Sequence, residues 1–233
     1  MLLIKMNTLY QIILAPYKQI PTNLKKVFAK ANPEMSHVVL NDSTGADFLR
    51  QHDFDERIRR SFENTSNFVK ARVELLRFCV LSHSPGVYMD VDLTFAKPVK
   101  DLDLPYADTI TCIGAHTPRR GISPLPAGEI AHGFMICNTP DKLLLEYVHE
   151  TTPEAFASKS SPYAMNIQGL YAFFCKRWGV TRLEPFRVYT DVPTQRTYYF
   201  IEEVKRGKKY DMIDARKNVL INSNGHINRD IFY

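Results

Sequence analysis

The chain has 233 residues, of which 45% are hydrophobic and 24% charged, enough to bury one sizeable core without disulfide staples. These proportions exclude a coiled coil, a collagen and a disordered polymer, and no apolar run reaches the roughly 20 residues of a membrane-spanning helix. A net charge of +5 suits an anionic small substrate and does not call for nucleic acid. The apolar patch at the start is too short for a signal-peptide core. Cys79, Cys112, Cys137 and Cys175 each lie in apolar stretches with no C-x-x-C pair, the pattern of buried free thiols rather than a zinc site. The expectation is a soluble, cytoplasmic protein.

Strands and helices alternate through the first half. Thr8–Leu14 is a short apolar strand closed by Ala15-Pro16. A helix follows Pro21-Thr22, since Leu24, Val27, Phe28 and Ala31 fall at i, i+3, i+4 and i+7, and Asn32-Pro33 ends it. His37–Leu40 reads as a second strand, followed by a turn over Asn41–Gly45. Residues 46–63 read as helical and polar. From Thr65 to about Ser82 a longer helix is apolar on most sides, the pattern of a buried helix, and Ser84-Pro85-Gly86 stops it. Val87-Tyr88-Met89 is then a short strand running straight into Asp90-Val91-Asp92, with Leu93–Val99 continuing extended. Thr109–Gly114 is a strand, 115–130 a Pro/Gly-rich loop carrying Arg119 and Arg120, Gly133–Asn138 a strand and Asp141–Glu150 a helix. A second apolar helix spans Tyr163–Trp178 and ends at Gly179. Short β pieces follow at Arg187–Thr190, Thr197–Ile201 and Val219–Asn222, with a basic solvated turn at Lys205–Lys209. The alternation predicts a single α/β domain over 1–233, built as a three-layer sandwich.

Asp-x-Asp triplets occur three times, at Asp53–Asp55, Asp90–Asp92 and Asp101–Asp103, so the triplet alone carries no weight. Only Asp90–Asp92 follows a buried-looking strand, and open α/β sheets bind ligands at the carboxyl ends of strands. In an extended segment residues i and i+2 share a side, where two carboxylates repel unless a cation joins them. Hard oxygen donors with open positions suit Mn²⁺ or Mg²⁺ bound together with substrate phosphates. The plain structural reading is a pair of aspartates capping turns. One chemistry that fits is a haloacid-dehalogenase-type phosphatase with Asp90 as nucleophile; against it, 89 residues precede the motif, and no D-D or G-D-x-x-x-D follows. Another is nucleotide-sugar transfer, in which the metal neutralises a diphosphate leaving group. A third is a non-catalytic sugar-nucleotide-binding module.

Residues 71–92, ARVELLRFCVLSHSPGVYMDVD, resemble the donor-sugar signature of GT-A glycosyltransferases with a D-x-D motif. The group includes yeast-type mannosyltransferases, capsular polysaccharide transferases and the clostridial glucosylating toxins. Its pattern is a helix with acidic-x-x-Arg, an apolar stretch, a Gly turn, then aromatic-x-D-x-D. Here Glu74, Arg77, Gly86, Tyr88, Asp90 and Asp92 fill it, with Asp90 lying 13 residues after Arg77 and 16 after Glu74. The resemblance runs more weakly over residues 8–99, and Gly133–Asn138 looks like the strand facing the acceptor. Glu74 stands where Asp is usual, Pro85-Gly86 replaces Gly-Gly, and the toxins' stacking Trp at the first strand is absent. The compact size also resembles transferases encoded by large algal viruses.

The resemblance implies a GT-A, Rossmann-like three-layer α/β/α sandwich with a mixed central sheet. It implies a nucleotide-sugar-binding part over about 1–100 and an acceptor-side part over about 101–233. The implied reaction moves a hexose (glucose-like, or a deoxyhexose such as rhamnose) from a UDP-sugar to a glycan, glycoprotein or other hydroxyl acceptor, with Mn²⁺ or Mg²⁺. Ala15 and Tyr17 would hold the nucleoside, and Glu74, Arg77 and Tyr88 the donor. Asp90 and Asp92 form the catalytic pair, with Asp90 bridging ribose and metal and Asp92 binding the metal directly. His226, near the C-terminus after an Asn-Gly turn, would complete the metal shell. An inverting enzyme needs a carboxylate base, for which Glu129, Asp141 and Asp191 are candidates; a retaining one does not. His116, His132 and His149 read as surface or core residues.

Overall fold

In the computed structural model the described residues are 7–15, 22–64, 69–114, 128–157, 168–206 and 209–223. Among them, runs rich in Val, Ile, Tyr and Phe form ten strands: β1 Thr8–Ile12, β2 Ser36–Leu40, β3 Gly86–Met89, β4 Leu93–Phe95, β5 Thr109–Ile113, β6 Ile130–Cys137, β7 Val188–Asp191, β8 Arg196–Arg206, β9 Lys209–Ile213 and β10 Val219–Ser223. They make one mixed sheet in the order β2-β1-β3-β6-β5-β8-β9-β10-β4, with β7 also beside β8. β2, β1 and β3 are parallel, β6 runs against both β3 and β5, and β5 is parallel to β8. The carboxyl ends of β1, β3 and β5 therefore share one edge with the start of β6. The helices are α1 Thr22–Ala31, α2 Asp42–Gln51, α3 Glu56–Glu63, α4 Val69–His83, α5 Lys142–Ala157 and α6 Gly169–Trp178.

The two faces of the sheet are covered differently. On one, residues of α2 to α6 pack with Tyr88, Met135, Cys137, Tyr198 and Phe200 of the sheet. On the other, Val87, Met89, Phe134 and Ile136 meet Phe28 of α1 and the sheet's own far end, including Met212, Leu220 and Ile221. The sheet curls to achieve this. β4 follows β3 after three residues yet pairs with β10, Leu93 opposite Ser223 and Thr94 opposite Asn222. Asp90-Val91-Asp92 thus joins the middle of the sheet to its end.

Helix α4 is buried along almost its whole length, as its apolar sequence predicts, and carries Arg72, Glu74 and Arg77 inside with it. Charges are tolerated there only with partners. Arg72 donates to Asp42 Oδ1 at 2.6 Å and to the Phe62 carbonyl at 2.6 Å, while Asp42 Oδ2 accepts the Ala15 amide at 2.8 Å. One carboxylate so fastens the end of β1 to α2 and α4. Pro85-Gly86 fits the entry to β3 for a steric reason: a Cβ on Gly86 would stand 2.9 Å from the Thr8 carbonyl and 2.6 Å from the Tyr10 ring.

Several elements differ from the sequence expectation. Asn41–Gly45 is not a turn but the start of α2, since Asn41 is an N-cap: its side chain accepts the Thr44 amide at 3.0 Å, and Thr44 Oγ1 accepts the Asn41 amide at 2.9 Å. The side-chain-to-backbone bonds that favour turns also cap helices. Residues 46–63 divide into α2 and α3 around Asp53, which has a left-handed φ of 52°. The extended run after Asp92 stops at Phe95, and a 3₁₀ turn forms at Val99–Asp101. The basic Lys205–Lys209 stretch belongs to the β8–β9 hairpin, with 207–208 outside the described residues. The expected helix over Tyr163–Trp178 is described from Gly169 onward, and 158–167 lie outside. All four cysteines are free and buried. Among the described residues no helix is long and apolar enough to cross a membrane.

Asp42→Ala removes the charged acceptor of a buried arginine and the tether of Ala15 together. Equilibrium urea unfolding should show a loss of about 1–3 kcal/mol.

Candidate functional site

Strand β3 delivers Asp90 to the sheet edge, where two backbone bonds fix it. Its amide donates to the Gly133 carbonyl at 2.7 Å, and its carbonyl accepts the Leu93 amide at 3.1 Å. The second bond corrects one expectation. Asp90–Leu93 is a turn rather than extended chain, so turn geometry, not strand alternation, sets where Asp90 and Asp92 point. Gly133 lies directly under the first carboxylate: a Cβ there would stand 2.8 Å from Asp90 Oδ2.

Asp90 Oδ1 accepts the Tyr88 hydroxyl at 2.6 Å and Arg77 Nη2 at 3.0 Å. Arg77 Nη2 also donates to the Tyr88 oxygen at 3.2 Å, and its guanidinium lies 4.2 Å from the Tyr88 ring centroid. Arg77 Nη1 donates to both Nδ1 and the carbonyl of His132. Burial opposes this charge, but Tyr88, Asp90 and Glu74 more than offset it and hold Arg77 as a cation.

His132 reaches Arg77 because β6 is irregular. Between the register pairs Thr111–Met135 and Ile113–Ile130, two steps along β5 face five along β6. The bulge turns the His132 ring toward α4, edge-on to Phe78 at 5.7 Å. Glu74 lies one helical turn before Arg77. Its Oε1 is 3.7 Å from His132 Nε2, beyond hydrogen-bond reach. Glu74 Oε2, Arg77 Nε and His132 Nε2 are all buried with no hydrogen-bond partner among the described residues. Burial pushes the Glu74 carboxyl up to about 8, against the pull of Arg77, and burial with Arg77 holds His132 well below its ordinary value. Unmet buried polar atoms are costly. A ligand carrying hydroxyls, which both donate and accept, would meet them.

The other expected site residues fall on both sheet edges. Ala15 is exposed at the end of β1, with its amide taken by Asp42. Glu129 stands beside the end of β5, its carbonyl accepting the Gly114 amide at 2.8 Å, on the edge that carries Asp90. Asp141 and Asp191 do not. Asp141 is fully buried at the opposite edge, accepting Thr109 Oγ1 at 2.6 Å and the Tyr198 hydroxyl at 2.9 Å. Asp191 is bound there by Arg177 at 2.7 Å and by Thr194. Both are structural carboxylates removed from the Asp90 edge. His149 pairs with Asp55 at 3.0 Å, half-exposed. Tyr17, His116, Arg119, Arg120 and His226 lie outside the described residues. His132 is the member of the Arg77 cluster that the sequence did not reveal, because only the bulge brings it to α4.

No group of three or more His, Cys, Asp or Glu side chains that could hold a metal occurs among the described residues. Asp90 and Asp92, both partly exposed, form an oxygen-only pair. Such a pair fits a hard divalent ion that draws further ligands from phosphate.

Residues 20–111, which include α4, β3 and the Asp90–Asp92 turn, match the family model described as glycosyltransferase sugar-binding region containing DXD motif. No curated protein matches the chain in sequence. Among solved structures, the PaToxG glycosyltransferase is similar, with a TM-score of 0.52 and 13% identity, over 73% of this chain and 69% of that one. At that identity the likeness is one of fold, and the mixed curled sheet with its helices is the GT-A arrangement.

The raised Glu74 value has a consequence for stability. Between the ordinary 4.5 and about 8 the folded chain binds a proton that the unfolded chain releases. Its stabilising contribution is complete below the lower value and is lost as pH rises through the upper one. Glu74→Gln should match the wild type in urea unfolding near pH 4.5 and exceed it near pH 8.5.

Proposed function

We propose that this chain, a DXD glycosyltransferase of the GT-A fold, moves a hexose from a UDP-sugar to a glycan, glycoprotein or other hydroxyl acceptor, with Mn²⁺ or Mg²⁺ as cofactor. The sugar is glucose-like or a deoxyhexose such as rhamnose. The observation that carries this reading is the Glu74–Arg77–Asp90 constellation at the end of β3. Three ionisable side chains converge there, Arg77 and Asp90 as an ion pair, and buried polar atoms of Glu74 and Arg77 have no hydrogen-bond partner among the described residues.

In this reading Ala15 and Tyr17 hold the nucleoside, and Glu74 and Arg77 receive the sugar hydroxyls. Tyr88 acts through Asp90, because its hydroxyl is committed to that carboxylate. Asp90 and Asp92 hold the metal. A bound ion would neutralise the charge developing on the diphosphate as the glycosidic bond breaks. His226 would add a ligand: β10 ends at Ser223 opposite Leu93, beside the turn that carries Asp92. Residues about 1–100 serve the donor and about 101–233 the acceptor. If the reaction inverts, Glu129 is the carboxylate on the correct edge to act as base.

The test is incubation with a panel of UDP-sugars and Mn²⁺. The expected result is UDP release that excess EDTA abolishes. Asp92→Asn should lower it by roughly 100-fold or more with melting unchanged. Arg77→Lys, which loses the planar fork, should leave UDP affinity unchanged in calorimetry while cutting turnover about tenfold or more. Release of inorganic phosphate instead would mark a phosphatase, and tight UDP binding without release a binding module.

A further inference from the structure

We propose that His132 is a positioning residue that locks the Arg77 guanidinium in one orientation and thereby sets how sharply the site distinguishes one UDP-sugar from another. This rests on the reading of Arg77 as a sugar contact.

A guanidinium offers five N–H donors and no acceptor. The Nη2 end of Arg77 is bound by Asp90 and Tyr88, and the Nη1 end by His132 twice, through its ring and its carbonyl. The fork is held at both tips. The remaining donor, Nε, is buried and without a partner among the described residues, as is Glu74 Oε2 one turn earlier on α4. A sugar hydroxyl can donate to the carboxylate and accept from the guanidinium. Its placement is then read by a donor that cannot swing to follow it. A fixed polar group penalises a misplaced hydroxyl in a way that a mobile one does not.

The His132 ring is itself fixed. Arg77 can only donate, so Nδ1 must accept, and the ring proton must sit on Nε2. That atom faces Glu74 Oε1 across 3.7 Å, so the imidazole stands between the two sugar-reading residues. Its position comes from the β6 bulge. The same bulge supplies the Gly133 carbonyl that binds the Asp90 amide, and it leaves Gly133 without a side chain against Asp90 Oδ2. His132 and Gly133 thus support Arg77 and Asp90 from adjacent positions.

Two substitutions separate this role from simple packing. In His132→Asn the amide oxygen falls near the place of Nδ1 and keeps the acceptor; in His132→Gln the amide reaches the place of Nε2 and loses it. Both are assayed for UDP release from UDP-glucose, UDP-galactose, UDP-N-acetylglucosamine and UDP-xylose with Mn²⁺. His132→Gln should lose about tenfold in turnover with the best donor and about tenfold in preference over the next, the scale of one hydrogen bond to a charged group. Its UDP affinity in calorimetry and its melting temperature should hold. His132→Asn should stay within about twofold of wild type. Nitrogen-15 NMR of the wild type should show the Nε2–H tautomer. Full turnover with unchanged preference in folded His132→Gln would overturn the proposal. So would equal losses in the two variants, or a proton on Nδ1. If His132→Gln does not fold, His132→Ala takes its place in the comparison. Arg77→Lys runs alongside: if it is crippled while His132→Gln is not, only the role of His132 falls. If Arg77→Lys is unaffected, or no UDP-sugar is turned over by the wild type, the reading of the site falls with it.

Discussion

Removing a guanidinium from water is expensive unless most of its donors are met and its charge is countered. Arg77 has a side chain only 3% exposed, in the middle of a helix packed beneath the sheet. Its partners come from three separate elements: Asp90 after β3, Tyr88 within it, and His132 in β6. Meeting this one charge therefore fixes the spacing of α4, β3 and β6 at the sheet edge. The D-x-D turn stands where it does because its first carboxylate is the counter-charge. A second buried arginine, Arg72, acts in parallel, binding Asp42 and through it the end of β1.

The sheet's curl adds a second constraint on the same turn. Asp90–Asp92 links the middle of the sheet to β4, which pairs with the last described strand. The turn is anchored at one end by Gly133 and Arg77 and at the other by the β4–β10 ladder. Val91 and Asp92 occupy the short, partly exposed span between. Such an arrangement fixes the pair relative to the sheet while leaving both carboxylates partly exposed.

The site is maintained at some cost to the fold. Glu74 is buried without a full set of partners among the described residues, and its carboxyl is pushed far from its ordinary range. A purely structural core would replace such a group with an apolar one. In the proposed reading, Glu74 beside Arg77 and Asp90 trades stability for a preorganised site.

Much of this was legible in sequence. Local patterns determined α4 as a buried helix, β3 before Asp90, the Gly86 turn and the α/β class, because burial periodicity and turn chemistry act over a few residues. The spacing of Glu74, Arg77, Asp90 and Asp92 picked out the candidate residues, of which Arg77 and Asp90 pair in the fold. Only the tertiary structure decided the rest. Three Asp-x-Asp triplets look alike locally, and an N-cap at Asn41 looks like a turn. Glu129, Asp141 and Asp191 are indistinguishable as isolated carboxylates until strand direction puts the latter two on the far edge, bound by Arg196, Tyr198 and Arg177. His132 enters the site through a bulge whose register depends on pairing with β5, residues far away in the chain. Sequence reports which side chains are present and how they alternate; which of them meet is set by strand order and register, which arise from contacts between distant segments.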